Sequence, residues 1–173
     1  EGDGSLEIAT AVWGHSELDA DRFGLYVWRA ADGALLYEKR FGCSVDSVDA
    51  IDLAGGTRLL VGCSDGMVHR LGWEDGDLVF EGSLDCRDGV ECVRAVPIGP
   101  PGEAVGRVAV STVKGSVIVL DADLRPLAVA RTGETIVGKR DALRSTLFTV
   151  DGEPYSGLVA LSQSSVWRFR LVR

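Results

Sequence analysis

An all-β fold of repeated four-stranded units is what this sequence predicts, and three observations carry it. A short motif recurs as Gly24-Leu-Tyr-Val-Trp, Gly66-Met-Val-His-Arg-Leu, Gly115-Ser-Val-Ile-Val-Leu and Ser164-Ser-Val-Trp-Arg-Phe, its copies starting 42, 49 and 49 residues apart. Around each copy lie short, β-prone apolar runs separated by tight turns, with 22 glycines among 173 residues. No segment sustains a helical period, and the turn residues come too often for helices. A repeat of about 40–50 residues made of short strands marks β-propeller blades.

The elements follow in order. Glu7 to Trp13 reads as a strand after Gly-Asp-Gly, and a polar segment, Gly14 to Arg22, separates it from Gly24 to Trp28. Ala31-Asp-Gly33 then turns into Leu35 to Phe41, because Asp-Gly supplies the positive φ of tight hairpins. Val45 to Leu53, Arg58 to Cys63, Met67 to Trp73 and Leu78 to Leu84 form a complete second unit, with turns at Ala54–Thr57, Ser64-Asp-Gly66 and Glu74–Asp77. Val90 to Ile98, Arg107 to Val113, Ser116 to Leu120 and Leu127 to Arg131 repeat that order. Ala142 to Val150, a loop at Asp151–Pro154, Leu158 to Leu161 and Val166 to Leu171 complete the chain. Near-continuous apolar runs such as Val117-Ile-Val-Leu120 suit strands covered on both faces by neighbouring blades.

With strands lettered a to d from the axis outward, the order is b-c-d, a-b-c-d, a-b-c-d, a-b-c, with blades over residues 6–42, 45–84, 90–131 and 142–171. That is about three and a half blades, which predicts the C-terminal half of a seven-bladed propeller. The start at Glu1 lacks strand a of its blade, so an upstream segment is expected. The end at Arg173 awaits a strand d. The partner call is therefore a protein, the N-terminal half of the same propeller; a four-bladed or self-associated assembly is the competing account. Open sheet edges and a bare blade face would otherwise invite aggregation.

The composition narrows the function classes. A net charge of −8 argues against nucleic acid and anionic membranes as partners. No run is long enough to span a membrane and no signal peptide is visible, so a cytoplasmic protein is expected. Arginine supplies 15 of 18 cations, a bias that hints at a GC-rich bacterial genome. Cys43, Cys63, Cys86 and Cys92 form no Cys-x-x-Cys, and the two histidines complete no zinc spacing, so they read as reduced thiols, with a Cys86–Cys92 disulfide as the alternative. No metal or cofactor is implied. No Ser-His-Asp spacing or phosphate-cradling glycine motif occurs, and His69 sits mid-strand as a packing residue.

The residues from Val45 through Leu71 resemble strands a, b and c of a WD40 repeat, and Gly24 to Tyr37 resembles strand c, the outer turn and strand d. Asp65 matches the acidic residue of the b–c turn, Trp28-Arg29 stands where WD40 repeats carry Trp-Asp, and the Gly-His pair before strand a is absent. Quinoprotein-type and integrin-type propellers are rivals. Gly2-Asp-Gly-Ser-Leu-Glu-Ile8 is similar to the integrin-type calcium run, but its acidic series is incomplete.

The resemblance implies a non-enzymatic interaction or sensor domain within a larger assembly. A catalytic propeller, a quinoprotein-like oxidoreductase or hydrolase completed by the missing half, is the second hypothesis. A sugar- or peptide-binding propeller is the third, and the strand positions of Trp13, Trp28, Trp73 and Trp167 argue against it. Candidate partner-binding residues are His15, Glu17, Asp19 and Asp21 in the longest b–c connection, with Arg87 and Arg140 (and Lys139, Arg94 and Arg144) near inner-strand starts. Trp167, Arg168, Phe169 and Arg170 alternate on the last strand, one face apolar and one cationic, and form the candidate closure edge.

Overall fold

The computed structural model describes residues 7–12, 23–98, 105–136, 143–150 and 152–169. Within them lie strands β1 (Glu7–Val12), β2 (Gly24–Arg29), β3 (Leu35–Arg40), β4 (Val45–Leu53), β5 (Gly56–Cys63), β6 (Met67–Glu74), β7 (Asp77–Asp85), β8 (Val90–Ile98), β9 (Val105–Thr112), β10 (Ser116–Leu120), β11 (Pro126–Arg131), β12 (Leu143–Val150), β13 (Glu153–Leu161) and β14 (Val166–Phe169). They form four antiparallel meanders, β1-β2-β3, β4-β5-β6-β7, β8-β9-β10-β11 and β12-β13-β14. The chain is therefore an all-β domain whose sheet sizes are consistent with part of a propeller.

Alternation explains how these sheets stack. Leu60 and Val68 face the third sheet, where they join Val90, Val93, Val108 and Ile118. Their neighbours Val61, Cys63 and Leu71 face the first sheet and meet Leu25 and Val27. Ala109, Val117 and Val119 turn the other way again, onto Leu143, Leu158 and Ala160 of the fourth sheet. Three separate cores result, one between each pair of adjacent sheets. Side chains such as Leu60, Leu71 and Leu158 are fully buried, each stabilising the fold by about 1.5–3 kcal/mol.

Strands β4, β8 and β12 pack side by side at the inner ends of their sheets. Inner strands have one unpaired edge, and β4 side chains satisfy that of β8. Ser47 Oγ accepts from Val93 N at 3.1 Å, and Asp49 Oδ2 accepts from Ala95 N at 2.8 Å. A β-bulge after Val45 sets Ser47 in place, and the same bulge follows Val90. The fourth sheet opens with an isolated bridge, Ile136–Ser162, at the equivalent point.

One backbone bond recurs in each of the first three sheets. Phe41 N donates to Phe23 O at 3.0 Å, Cys86 N to Gly66 O at 2.9 Å and Thr132 N to Gly115 O at 2.9 Å. It ties the residue leaving the outermost strand to the start of the strand before it. Gly115 is required there: its φ is +84°, and a Cβ would sit 2.0 Å from Glu134 O.

One expectation needs correction. The loop placed at Asp151–Pro154 is tighter than the prolines suggested, since Glu153 and Pro154 already pair with Val150 and Thr149. Gly152, at φ +87°, carries the turn, and Pro154 near a strand start costs little pairing. Pro97 lies inside β8, within the run read from sequence as a strand, and its carbonyl accepts from Ser156 Oγ at 2.9 Å.

Gly115→Ala is expected to lose more than about 2 kcal/mol in urea unfolding, because left-handed strain and a backbone clash combine. Gly133→Ala, at φ +73° with open space around it, should lose only about 1 kcal/mol.

Candidate functional site

Two clefts flank the array of sheets. One, of about 250 Å³, lies along β1 and is lined by Ala9, Thr10, Ala11, Val45, Ser47 and Arg94. β1 pairs only with β2 among the described residues, so its second edge opens onto this cleft. The other, of about 230 Å³, runs along β14 and is lined by Val117, Val119, Val129, Leu158 and Phe169, with Ala128 and Ala130 on β11. Among the described residues β14 pairs only with β13, and Phe169 near its end lines this apolar groove.

The last strand alternates as its sequence suggests. Trp167 and Phe169 pack on the core between the third and fourth sheets, and Trp167 Nε1 donates to Ser162 Oγ at 3.3 Å. Arg168 is exposed on the opposite face, and Val166 is 65% exposed. Ala128 and Ala130 form the facing wall, whereas Val129 between them shares the opposite face with Ile118 and is 60% exposed. The first sheet shows an outer face too: Ile8 and Val12 are exposed, Tyr26 and Trp28 stack with centroids 6.3 Å apart, and Trp28 Nε1 donates to Thr10 Oγ1 at 3.1 Å.

The remaining sequence candidates divide in two. Arg87 is exposed in the link between β7 and β8; its φ is +60°, and its N–H donates to Asp85 Oδ1 at 2.6 Å. Arg94 is half-buried beside Asp49 at 3.9 Å and lines the first cleft, while Arg144 lies exposed on β12. His15, Glu17, Asp19, Asp21, Lys139, Arg140 and Arg170 lie outside the described residues, as does most of the calcium-like run.

A second constellation links each inner-strand entry to the b–c turn of the same sheet. In the third sheet Asp88 Oδ2 accepts from Lys114 N at 2.7 Å. In the fourth, Glu134 accepts hydroxyl bonds from Ser162, from Ser164 at 2.9 Å and from Ser165 at 3.3 Å. Those hydroxyls hold the Glu134 carboxyl below its ordinary range. In both sheets an acid at the inner-strand entry ties that link to the b–c turn, through an amide in one and through hydroxyls in the other.

In the second sheet the same position is Cys43. Its sulfur, the Cys63 sulfur and an Asp65 carboxylate oxygen lie within 4.8 Å of one another. The closeness of the two sulfurs holds the Cys43 thiol low and pushes Cys63 up, with burial adding to the latter. Spacing missed this pair because it is twenty residues apart in sequence, joined only by strand pairing. No disulfide joins the four cysteines, and the neighbouring pair is Cys43–Cys63, not Cys86–Cys92. Burial pushes Cys86 up to about 11.

His69 packs as its mid-strand position suggests. Its ring lies between Phe41 and Phe80, at 5.6 and 4.9 Å between centroids, and its Nδ1 meets Ser83 Oγ at 2.7 Å.

No protein-family model matches the chain, and no curated protein matches it. Solved structures do. A crystal structure of BBS1N in complex with ARL6DN, soaked with mercury, superposes with a TM-score of 0.67 at 17% identity over 99% of this chain and 44% of that one. The same complex soaked with lead gives a TM-score of 0.64 at 18% identity, over 99% of this chain and 48% of that one. The shared fold is of the β-propeller type. This chain spans less than half the length of those BBS1N chains.

Burial holds the His69 imidazole below its usual range, against the opposing pull of Asp65. The unfolded chain binds that proton more readily, so the stabilisation is full above about pH 6.5 and is lost as pH falls through the folded value. Thermal melts between about pH 8 and 5 should show a falling midpoint, and His69→Phe should flatten that fall.

Proposed function

We propose that this chain is a non-enzymatic interaction domain, the C-terminal half of a propeller whose remaining blades come from another segment or subunit. One observation carries the reading: the sheets run three, four, four and three strands, and an end strand of each three-stranded sheet lines a cleft. The first cleft has the place of an innermost strand beside β1, between it and β4. The second has the place of an outermost strand beside β14, against β11. Fourteen strands here and fourteen supplied elsewhere make about seven blades of four. Coverage of 44–48% of BBS1N accords with that division.

BBS1N was crystallised bound to another protein, ARL6DN. A rigid set of blades presenting loops to a protein partner is the corresponding role for this chain. Its candidate contacts are Arg87, Arg140 and the His15–Asp21 connection. The closure edge is Trp167, Arg168, Phe169 and Arg170, with Phe169 and Trp167 presenting the apolar side.

Purified alone, the chain should self-associate, and co-expression with a segment bearing the complementary blades should yield a 1:1 complex in light scattering. Ala130→Lys and Phe169→Ala, both at the second cleft, should weaken that complex at least ~10-fold, as loss of central apolar contacts does. A stable monomer of the 173-residue chain, with no uptake of the complementary segment, overturns the reading.

A further inference from the structure

The sulfur cluster of the second sheet is unexplained by any role above, and comparison between sheets shows its peculiarity. Position 43 in the link corresponds to Asp88 and Glu134, since Ser44, Gly89 and Thr135 each accept from the b–c turn through Ser64, Val113 and Gln163. Position 63 corresponds to Thr112 and Ser162: Cys63 and Thr112 pair with Val45 and Val90 at the starts of β4 and β8, and Ser162 pairs with Ile136 in the isolated bridge of the fourth sheet. Two sheets therefore carry an acid and a hydroxyl at these positions. The second carries sulfur at both, a paired exchange of hard oxygen for soft sulfur. Thiols are weak hydrogen-bond donors and acceptors and make a poor substitute for that contact, yet a carboxylate has been added beside them at Asp65.

We propose that Cys43, Cys63 and Asp65 bind a thiophilic divalent cation of the Zn2+ class, which ties the β3–β4 link to the β5–β6 turn. Two thiolates and a carboxylate suit zinc, with water as a fourth ligand. Zinc–sulfur bonds of about 2.3 Å bring two sulfurs to roughly 3.8 Å in a tetrahedron, so ligand atoms already within 4.8 Å need only a small closure. Asp65 Oδ1 accepts from Met67 N at 3.0 Å; a carboxylate has two oxygens, so the turn bond and a metal bond coexist. Cys63 is fully buried, Cys43 half-buried and Asp65 exposed, so an ion enters from the Asp65 side. The third ligand favours an ion over a simple disulfide, which would need only the two sulfurs. Binding displaces the thiol protons to solvent.

Titration of the reduced chain with Co2+ tests this. One equivalent should bind with a thiolate-to-cobalt charge-transfer band and tetrahedral visible bands, and Zn2+ should displace it. Cys43→Ser should weaken binding at least ~100-fold and Asp65→Asn at least ~10-fold, at or beyond the loss from a supporting residue. Cys86→Ser should leave it unchanged. Absence of a thiolate–cobalt band in the reduced wild type overturns the proposal, including the case where air joins Cys43 to Cys63. A band that persists in Cys43→Ser does the same. Should that variant fail to fold, the exposed Asp65→Asn decides: unchanged affinity and spectrum there overturn the site as drawn.

Discussion

Face-to-face stacking of small sheets is the constraint on which the rest of this structure depends. A sheet of three or four short strands cannot bury two apolar faces by itself. Each sheet here has apolar side chains on successive residues, so each strand feeds two cores at once. Leu60 and Val61, adjacent in sequence, belong to different cores. Stability is thus spread over interfaces, and the end sheets necessarily differ from the middle ones. Their outer faces, with Ile8 and Val12 at one end and Val166 and Arg168 at the other, meet no neighbour among the described residues.

Stacking fixes where polar groups must go. Inner strands lie close together with backbone edges that no fifth strand pairs, and Ser47 and Asp49 of β4 supply the missing partners for β8. Cys92 stands in the Ser47 position of the next sheet and meets the backbone of Leu143 there, while burial pushes its thiol up. Farther out, charged groups hold sheets together at their rims. Arg70 reaches Asp123 at 3.1 Å across the second and third sheets, and Lys39 Nζ donates to Leu78 O at 2.9 Å across the first and second. The residues differ from sheet to sheet while the geometry repeats, which is how a recognisable fold survives at 17–18% identity.

The resemblance drawn from sequence looked for named dipeptides and found few of them. The links from inner-strand entries to b–c turns are made instead by varied chemistry: a carboxylate to a turn amide at Asp88, a carboxylate to three hydroxyls at Glu134, and a sulfur pair at Cys43 and Cys63. Such substitutions are invisible to a motif search because each partner lies some twenty to thirty residues from the other.

By itself the sequence determined the strands, their antiparallel order and the grouping into three, four, four and three, because alternation, Asp-Gly turns and chain connectivity are local. Asp75 and Gly76, both at positive φ, form the hairpin their identities demand. The alternation of Trp167 and Phe169 with Arg168 was legible for the same reason. Tertiary structure alone decided which residues meet across links and sheets: the Cys43–Cys63–Asp65 cluster, the Ser47 and Asp49 bonds to β8, and the groove that Ala128 shares with Phe169. Those meetings depend on bulges and on the packing of one sheet upon the next, and neither leaves a spacing in the chain that pattern alone can read.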